Sequence, residues 1–214
     1  MKKIKFDNPH RQKHFEFFSA MNHPHFNITA PVTIGPLMNT IKRQGLSLTP
    51  TLAYLFARVA NEIPQFRWRL RDGEVVEHEI VHPSFAVETL GTDVFSFCEV
   101  AFQASHKSFY DAAQVEIKKM GINPSFEDEE GRDDYLFMSA IPWIPFTSLQ
   151  HAMNYHPHDS IPRISWGKYT SENGKTQLPV SVQTHHALVD GRQVGYFFQR
   201  IEALAHQPEI WLNL

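Results

Sequence analysis

The stretch from Leu178 to Gly191 restricts this chain more than any other. Leu178, Val180, Val182, Thr184 and His186 share one parity, and Pro179, Ser181, Gln183 and His185 share the other. An extended strand sends the two sets to opposite faces. The apolar parity runs on to His186. Beyond it, Ala187-Leu188-Val189-Asp190-Gly191 breaks the alternation, and Val194, Phe197, Phe198, Ile201 and Leu204 take up a helical stripe. A strand must therefore hand over to a helix beside two adjacent histidines. An imidazole at such a junction is partly desolvated, which lowers its pKa and keeps it neutral. A neutral imidazole near pH 7 accepts a proton from a hydroxyl. The chain holds 13 histidines, and a satisfied core or interface histidine fits the pair equally well from these residues alone.

The rest of the chain alternates between strand and helix signals. Phe26 to Ile34 reads as a strand closed by Gly35-Pro36. Thr49-Pro50 opens a helix, with Thr49 as cap, whose buried face is Leu52, Leu55, Phe56, Val59, Ala60 and Ile63; Pro64 ends it. Phe66 to Leu70 and Glu74 to Ile80 flank Arg71-Asp72-Gly73, a hairpin signal. Ser84 to Leu90 and Phe95 to Gln103 read as strands, and Ser105 to Met120 as a helix. Glu127-Asp128-Glu129-Glu130 reads as a solvated acidic loop. Tyr135 to Ile141, Phe146 to Met153, Arg163 to Tyr169 and Gln177 to His186 read as strands, the last two joined around Asn173-Gly174 by a loop somewhat longer than two residues. Strands and helices mix without regular βαβ alternation, so the class is α+β with a largely β core layer. The length, 214 residues, suits a single domain over 1–214.

Composition narrows the function classes. A net charge of −3 leaves no electrostatic footprint for nucleic acid. No apolar run reaches the roughly 18 residues of a membrane span. Met1-Lys2-Lys3-Ile4-Lys5-Phe6-Asp7 lacks the apolar segment of a secretory signal. The single cysteine, Cys98, excludes an internal disulfide and favours a reducing compartment, so the expected location is the cytoplasm. Cys98 lies in an apolar strand and reads as an inert thiol. His23-Pro24-His25 and His156-Pro157-His158 are two-ligand pairs that do not build a closed metal site, so no metal is expected.

His185-His186-Ala187-Leu188-Val189-Asp190-Gly191 matches an HHxxxDG signature, and with other stretches it resembles the chloramphenicol acetyltransferase family. Those stretches are Arg11-Gln12-Lys13-His14-Phe15-Glu16-Phe17-Phe18, Pro64 to Glu74 followed by Val81-His82-Pro83, Ser139-Ala140-Ile141-Pro142-Trp143, and Gly167-Lys168-Tyr169. They keep their order over nearly the whole chain. The resemblance implies the CoA-dependent acyltransferase fold, a mixed and mainly antiparallel sheet packed with helices. It implies a homotrimer with active sites at subunit interfaces, and acetyl-CoA as cosubstrate with no permanently bound cofactor. In that scheme His186 takes the proton from an acceptor hydroxyl that attacks the thioester directly. Ser139 donates to the oxyanion, and Asp190 pairs with Arg11. Trp143 and Tyr169 contact coenzyme A, and Ser165 stands where the family has a threonine holding an ordered water.

The resemblance also marks an acceptor pocket that departs from the family. Phe18, Phe26 and Phe95 keep its aromatic wall. Asn22 and His151 stand where aliphatic residues are usual, and Phe97 replaces a small residue. Arg192-Gln193 replaces an aromatic-histidine pair after the signature. The expected reaction is acetylation and inactivation of chloramphenicol, an antibiotic-resistance activity. A different alcohol acceptor, or a non-catalytic trimeric ligand-binding homologue, are the other readings.

Overall fold

The computed structural model describes residues 1–212 other than 127, 128, 130, 156 and 158. Two sheets organise it. The larger runs β2 (His25–Thr33), β10 (Lys175–His185), β8 (Arg163–Gly167), β7 (Tyr135–Ile141), β5 (His82–Glu88) and β6 (Phe95–Glu99), in that spatial order, with β9 (Thr170–Glu172) also on β10. Only β8–β7 and β7–β5 are parallel; the other pairings are antiparallel. The smaller sheet, β1 (Lys2–Ile4), β4 (Glu74–Glu77) and β3 (Trp68–Arg71), is antiparallel throughout. The fold is thus the expected α+β, with a mixed, mainly antiparallel sheet.

Among the described residues there are five α-helices: α1 (Pro9–Ser19), α2 (Gly35–Gln44), α3 (Leu48–Glu62), α4 (His106–Ile122) and α5 (Gly191–His206). The α3 helix is buried from Pro50 to Ala57 without interruption and contacts α4, α5, β5 and β7. Its sides meet protein in every direction, which is why its sequence is apolar beyond one stripe. It starts two residues earlier than Thr49-Pro50 suggests, with Ser47 in the cap position but making no side-chain capping bond, and ends at Ile63 before Pro64 as expected. Two helices lie where no helical signal was read. The α1 helix buries no residue fully, so its apolar stripe is blurred; α2 begins at Gly35-Pro36, taken from sequence as a strand terminator. Pro36 sits in the first helical turn, where its missing N–H costs nothing.

Both short hairpins close as tight turns. Asp72 and Gly73 have φ of 50° and 76°, and Asn173 and Gly174 have 50° and 75°. Two successive positive values are the mark of a two-residue turn matched to strand twist. Glu172 pairs with Lys175, so the second loop is two residues long, shorter than the sequence implied.

The expected strand at Phe146 to Met153 is absent. This segment belongs to a loop that runs over the polar face of β8 and β10, where Gln183 Oε1 accepts from the backbone N–H of His151 at 2.9 Å. The loop explains why Ser165, Ser181, Gln183 and His185 are buried although they oppose the apolar face. Gly167 lets it approach: a Cβ there would lie 2.8 Å from the Ile144 carbonyl and 2.9 Å from Phe146 and Pro179.

Arg69 ties the two sheets together. It is fully buried and donates to the carbonyls of Asp133 (2.6 Å), Phe66 (3.0 Å), Trp68 (2.7 Å) and Tyr135 (2.5 Å). Burial lowers its guanidinium to about 10, which leaves it charged at neutral pH.

Candidate active site

The β10 strand ends at His185, whose carbonyl accepts from the N–H groups of Leu188 and Val189, both at 3.0 Å. That turn stops the strand and aims the chain into α5. His186 is the first residue past the strand. Its N–H donates to the Pro24 carbonyl at 2.7 Å, so it keeps the strand's direction for one more residue. Its half-buried ring stacks on Phe18 of α1, with centroids 3.9 Å apart and planes 19° from parallel. Phe26 of β2 covers it at 4.4 Å and His14 meets it edge-on at 5.6 Å. Among the described residues, His186 Nδ1 is buried without a hydrogen-bond partner.

Arg11 and Asp190 flank this ring but do not bond as the resemblance implies. Arg11 Nη2 donates to the carbonyls of Ala187 (2.7 Å) and Leu188 (3.2 Å), inside the signature turn. Arg11 Nη1 donates to His14 Nδ1 at 3.1 Å. Asp190 Oδ2 faces His14 Nε2 at 3.6 Å. His14 thus stands between the two, and Asp190 acts on Arg11 as a nearby charge that opposes the lowering caused by burial. The Asp190 side chain is largely exposed, and its N–H is held by Gln193 Oε1 at 3.0 Å, the local use of a residue that departs from the family.

Ser139 belongs to a different place. It sits in mid-β7 beside a cavity of about 770 Å³ lined also by Phe95, Trp143, His151, Leu48 and Ile117. Ser139 pairs with Ser165 on β8, and Ser165 pairs with Ser181 on β10, so their side chains form one row on one face. His151 Nε2 bonds the buried Ser165 hydroxyl at 2.8 Å. Burial, and then the charge of Arg163, pushes His151 down to about 4, so it is neutral at ordinary pH. Phe97 lies just outside the lining, in an aromatic group with Phe95 (5.6 Å), Phe126 (5.0 Å) and Phe137 (6.4 Å).

The expected site residues therefore form two sets within one chain. His186, Phe18, Phe26, Arg11 and Asp190 gather at the end of β10. Ser139, Ser165, His151, Phe95 and Trp143 gather over the middle of the sheet. Two strand spacings and five residues separate Ser139 from His186, roughly 20 Å between Cα atoms, and alternation sends their side chains to opposite faces. Asn22 is exposed in the turn between α1 and β2 and does not line the cavity. Trp143 is 68% exposed, while Tyr169 packs on the core away from the cavity lining.

Sequence reasoning missed His14, Gln183 and Phe126. His14 could have been found from its spacing, three residues after Arg11 and four before Phe18 on one helical face. Gln183 was visible as a polar residue inside a strand that proved buried on both faces. Phe126 belongs to no periodic segment, and only the fold brings it to Phe95 and Phe97.

Glu129 is described, but the other three members of the acidic run, counted as Glu127, Asp128 and Glu130, lie outside the described residues, as do His156 and His158 of the second His-Pro-His pair. Cys98 is fully buried, which pushes its thiol up to about 12, far from a nucleophilic thiolate. Among the described residues no helix is long and apolar enough to cross a membrane.

Comparison with known proteins fits this geometry. The profile of the family described as chloramphenicol acetyltransferase matches residues 1–202. A chloramphenicol acetyltransferase of Bacillus pumilus is 28% identical over 208 residues, covering 97% of this chain and 94% of its own. One of Escherichia coli is 28% identical over 193 residues, covering 90% and 88%. A solved structure of a chloramphenicol acetyltransferase superposes with a TM-score of 0.84 at 24% identity, over 95% of this chain and 99% of that one, and so shows the shared fold.

Proposed function

The chain belongs to the chloramphenicol acetyltransferase family and is an acetyl-CoA-dependent O-acetyltransferase, and from this premise we propose that its acceptor is a hydroxyl of chloramphenicol. The observation that carries the reading is the His186 ring, fixed at a strand's end between Phe18 and Phe26 and half-buried rather than turned into bulk water. Nδ1 is sealed on the protein side, which leaves Nε2 for proton transfer. As the acceptor oxygen attacks the acetyl thioester, Nε2 takes its proton. Ser139 donates a hydrogen bond to the tetrahedral oxyanion. Collapse breaks the carbon–sulfur bond, and the departing thiolate of coenzyme A recovers the proton from His186. A positioned base contributes about 10²–10⁴-fold and a single oxyanion donor about 10²–10³-fold.

The separation of Ser139 from His186 supports a homotrimeric assembly, in which His186 of one subunit faces the Ser139 cavity of the next. Exposed apolar groups near that cavity, Leu90, Phe95, Trp143 and Ile144, favour a covering partner. In this reading residues 1–214 act as one domain, Trp143 and Tyr169 contact coenzyme A, Ser165 stands beside the oxyanion site, and Phe18, Phe26, Phe95, Phe97, Asn22 and His151 shape the acceptor pocket. The setting is cytoplasmic, and the outcome for a host is chloramphenicol resistance.

His151 favours one alternative. A neutral imidazole in the cavity wall is a polar group that suits a more hydrophilic alcohol. The test is thiol release from acetyl-CoA with chloramphenicol and with a panel of sugar and natural-product alcohols, comparing wild type with His186→Ala. Rapid release with chloramphenicol, lost by about 10²–10⁴-fold in the variant, is the expected result. Release with another alcohol but not chloramphenicol would transfer the assignment to that acceptor.

A further inference from the structure

Arg11, His14, Asp190 and the signature turn form a chain of contacts whose middle member has no role in the reaction as described above. We infer that His14 is a positioning residue for His186, a neutral imidazole that couples Arg11 to Asp190 and buttresses the His186 and Phe18 stack. The inference rests on the acetyltransferase reading of His186.

A guanidinium has five N–H donors and no acceptor, so the 3.1 Å contact from Arg11 Nη1 requires His14 Nδ1 to accept. The proton of a neutral His14 is then on Nε2, the nitrogen that faces Asp190 Oδ2 at 3.6 Å. Full protonation would put an N–H against Arg11 and lose that bond. Burial, and next the charge of Arg11, lower the proton affinity of His14 accordingly. The charged and titratable groups that act on it are Arg11 and His10 from its own helix and Asp190 and His186 from the signature segment.

The same ring carries the mechanical link. His14 contacts Phe18 at 4.7 Å, and Phe18 is the platform on which His186 lies. His14 also meets His186 directly, edge-on. Arg11, steadied by His14, holds the Ala187 and Leu188 carbonyls that follow His186 in the chain. It is further seated over the rings of Phe6 (4.3 Å) and Trp68 (5.7 Å). His186 is thus fixed through its ring and through its backbone, and His14 is common to both routes.

Three variants separate positioning from mere packing. His14→Phe keeps a ring and removes both polar atoms. His14→Asn keeps an acceptor where Nδ1 stands. Arg11→Ala removes the donor. In His14→Phe, kcat should fall on the order of tenfold to a hundredfold, the loss typical of a slightly misplaced catalytic group. KM for both substrates and the melting temperature should stay near wild type. His14→Asn should recover part of that loss, and combining Arg11→Ala with His14→Asn should abolish the recovery. Wild-type kcat in His14→Phe, no advantage of Asn over Phe, or kcat losses that only track lower melting temperatures would each overturn the inference. Long-range proton–nitrogen NMR of the histidines tests the premise without any turnover. His14 at neutral pH should carry its proton on Nε2, and a proton on Nδ1 would overturn the inference. If wild type releases no thiol with any alcohol, the acetyltransferase reading fails instead, and the NMR result reports separately on His14.

Discussion

The imidazole of His186 lies flat on the ring of Phe18, 3.9 Å between centroids, although 168 positions divide them in the chain. A stacked ring pair stabilises by about 0.5–1.5 kcal/mol beyond its buried area. Its larger consequence is orientation. The stack fixes the plane of the imidazole, and the Pro24 carbonyl fixes its backbone. The ring is held by α1 and β2 together, neither of which contains it.

Phe18→Ala should therefore act on rate before affinity. We expect kcat to drop on the order of tenfold to a hundredfold, with Phe18→Tyr close to wild type and Phe18→Leu between. Steady-state kinetics in both substrates checks this. An unchanged kcat in Phe18→Ala would show that the ring is held by other means.

The separation of His186 and Ser139 predicts complementation. His186→Ala and Ser139→Ala should each be nearly inactive alone. Unfolded together and refolded at equal amounts, they should regain activity in about a quarter of the sites, if each site takes one group from each of two neighbours in a closed trimer. No recovery in well-formed mixed trimers would mean that both groups act from one chain.

Acid should destabilise the fold through two histidines. Burial holds His106 at about 4 against an ordinary 6.5, and His151, lowered by burial and then by Arg163, is also at about 4. Between those values the unfolded chain binds protons that the folded protein refuses. Stability is thus fully present above pH 6.5 and falls as pH drops towards 4, by up to about 1.4 kcal/mol per pH unit for each group, then levels off. His106 is fully buried among Tyr54, Tyr110 and Trp211, and neither ring nitrogen has a partner among the described residues. His106→Phe should raise stability at pH 7 by about 1 kcal/mol and flatten part of the acid slope. Urea denaturation at pH 7 and pH 5 reads both effects; a variant less stable at both would contradict the account.

Gly167→Ala should disturb the loop that carries Trp143. The added methyl would meet the Ile144 carbonyl, Phe146 and Pro179 at 2.8–2.9 Å, and all three are backbone or ring atoms that yield poorly. A stability loss of about 1–3 kcal/mol is expected from such overpacking, together with a raised KM for acetyl-CoA. Calorimetry and kinetics on the same preparation test the pair of effects, and wild-type values in both would refute it.

Much of this molecule is local and so was open to sequence reasoning. The β7 strand runs from Tyr135 to Ile141 as read, α4 is capped by Ser105, and both glycine hairpins form where Asp72-Gly73 and Asn173-Gly174 require positive φ. Strand alternation and helical stripes are short-range properties, and they also put His186 on the apolar parity of its strand. What the sequence could not specify depends on contacts between distant segments. A loop covers the polar row of β8 and β10, so residues that alternation would expose are buried. His14 comes between Arg11 and Asp190, because α1 lies against the turn that precedes α5. Ser139 and His186 end roughly 20 Å apart because β8 lies between their strands and five further residues of β10 and its end separate them. Pattern along a chain determines which way each side chain points from its own element, whereas the packing of elements decides what it meets, and proton transfer depends on the meeting.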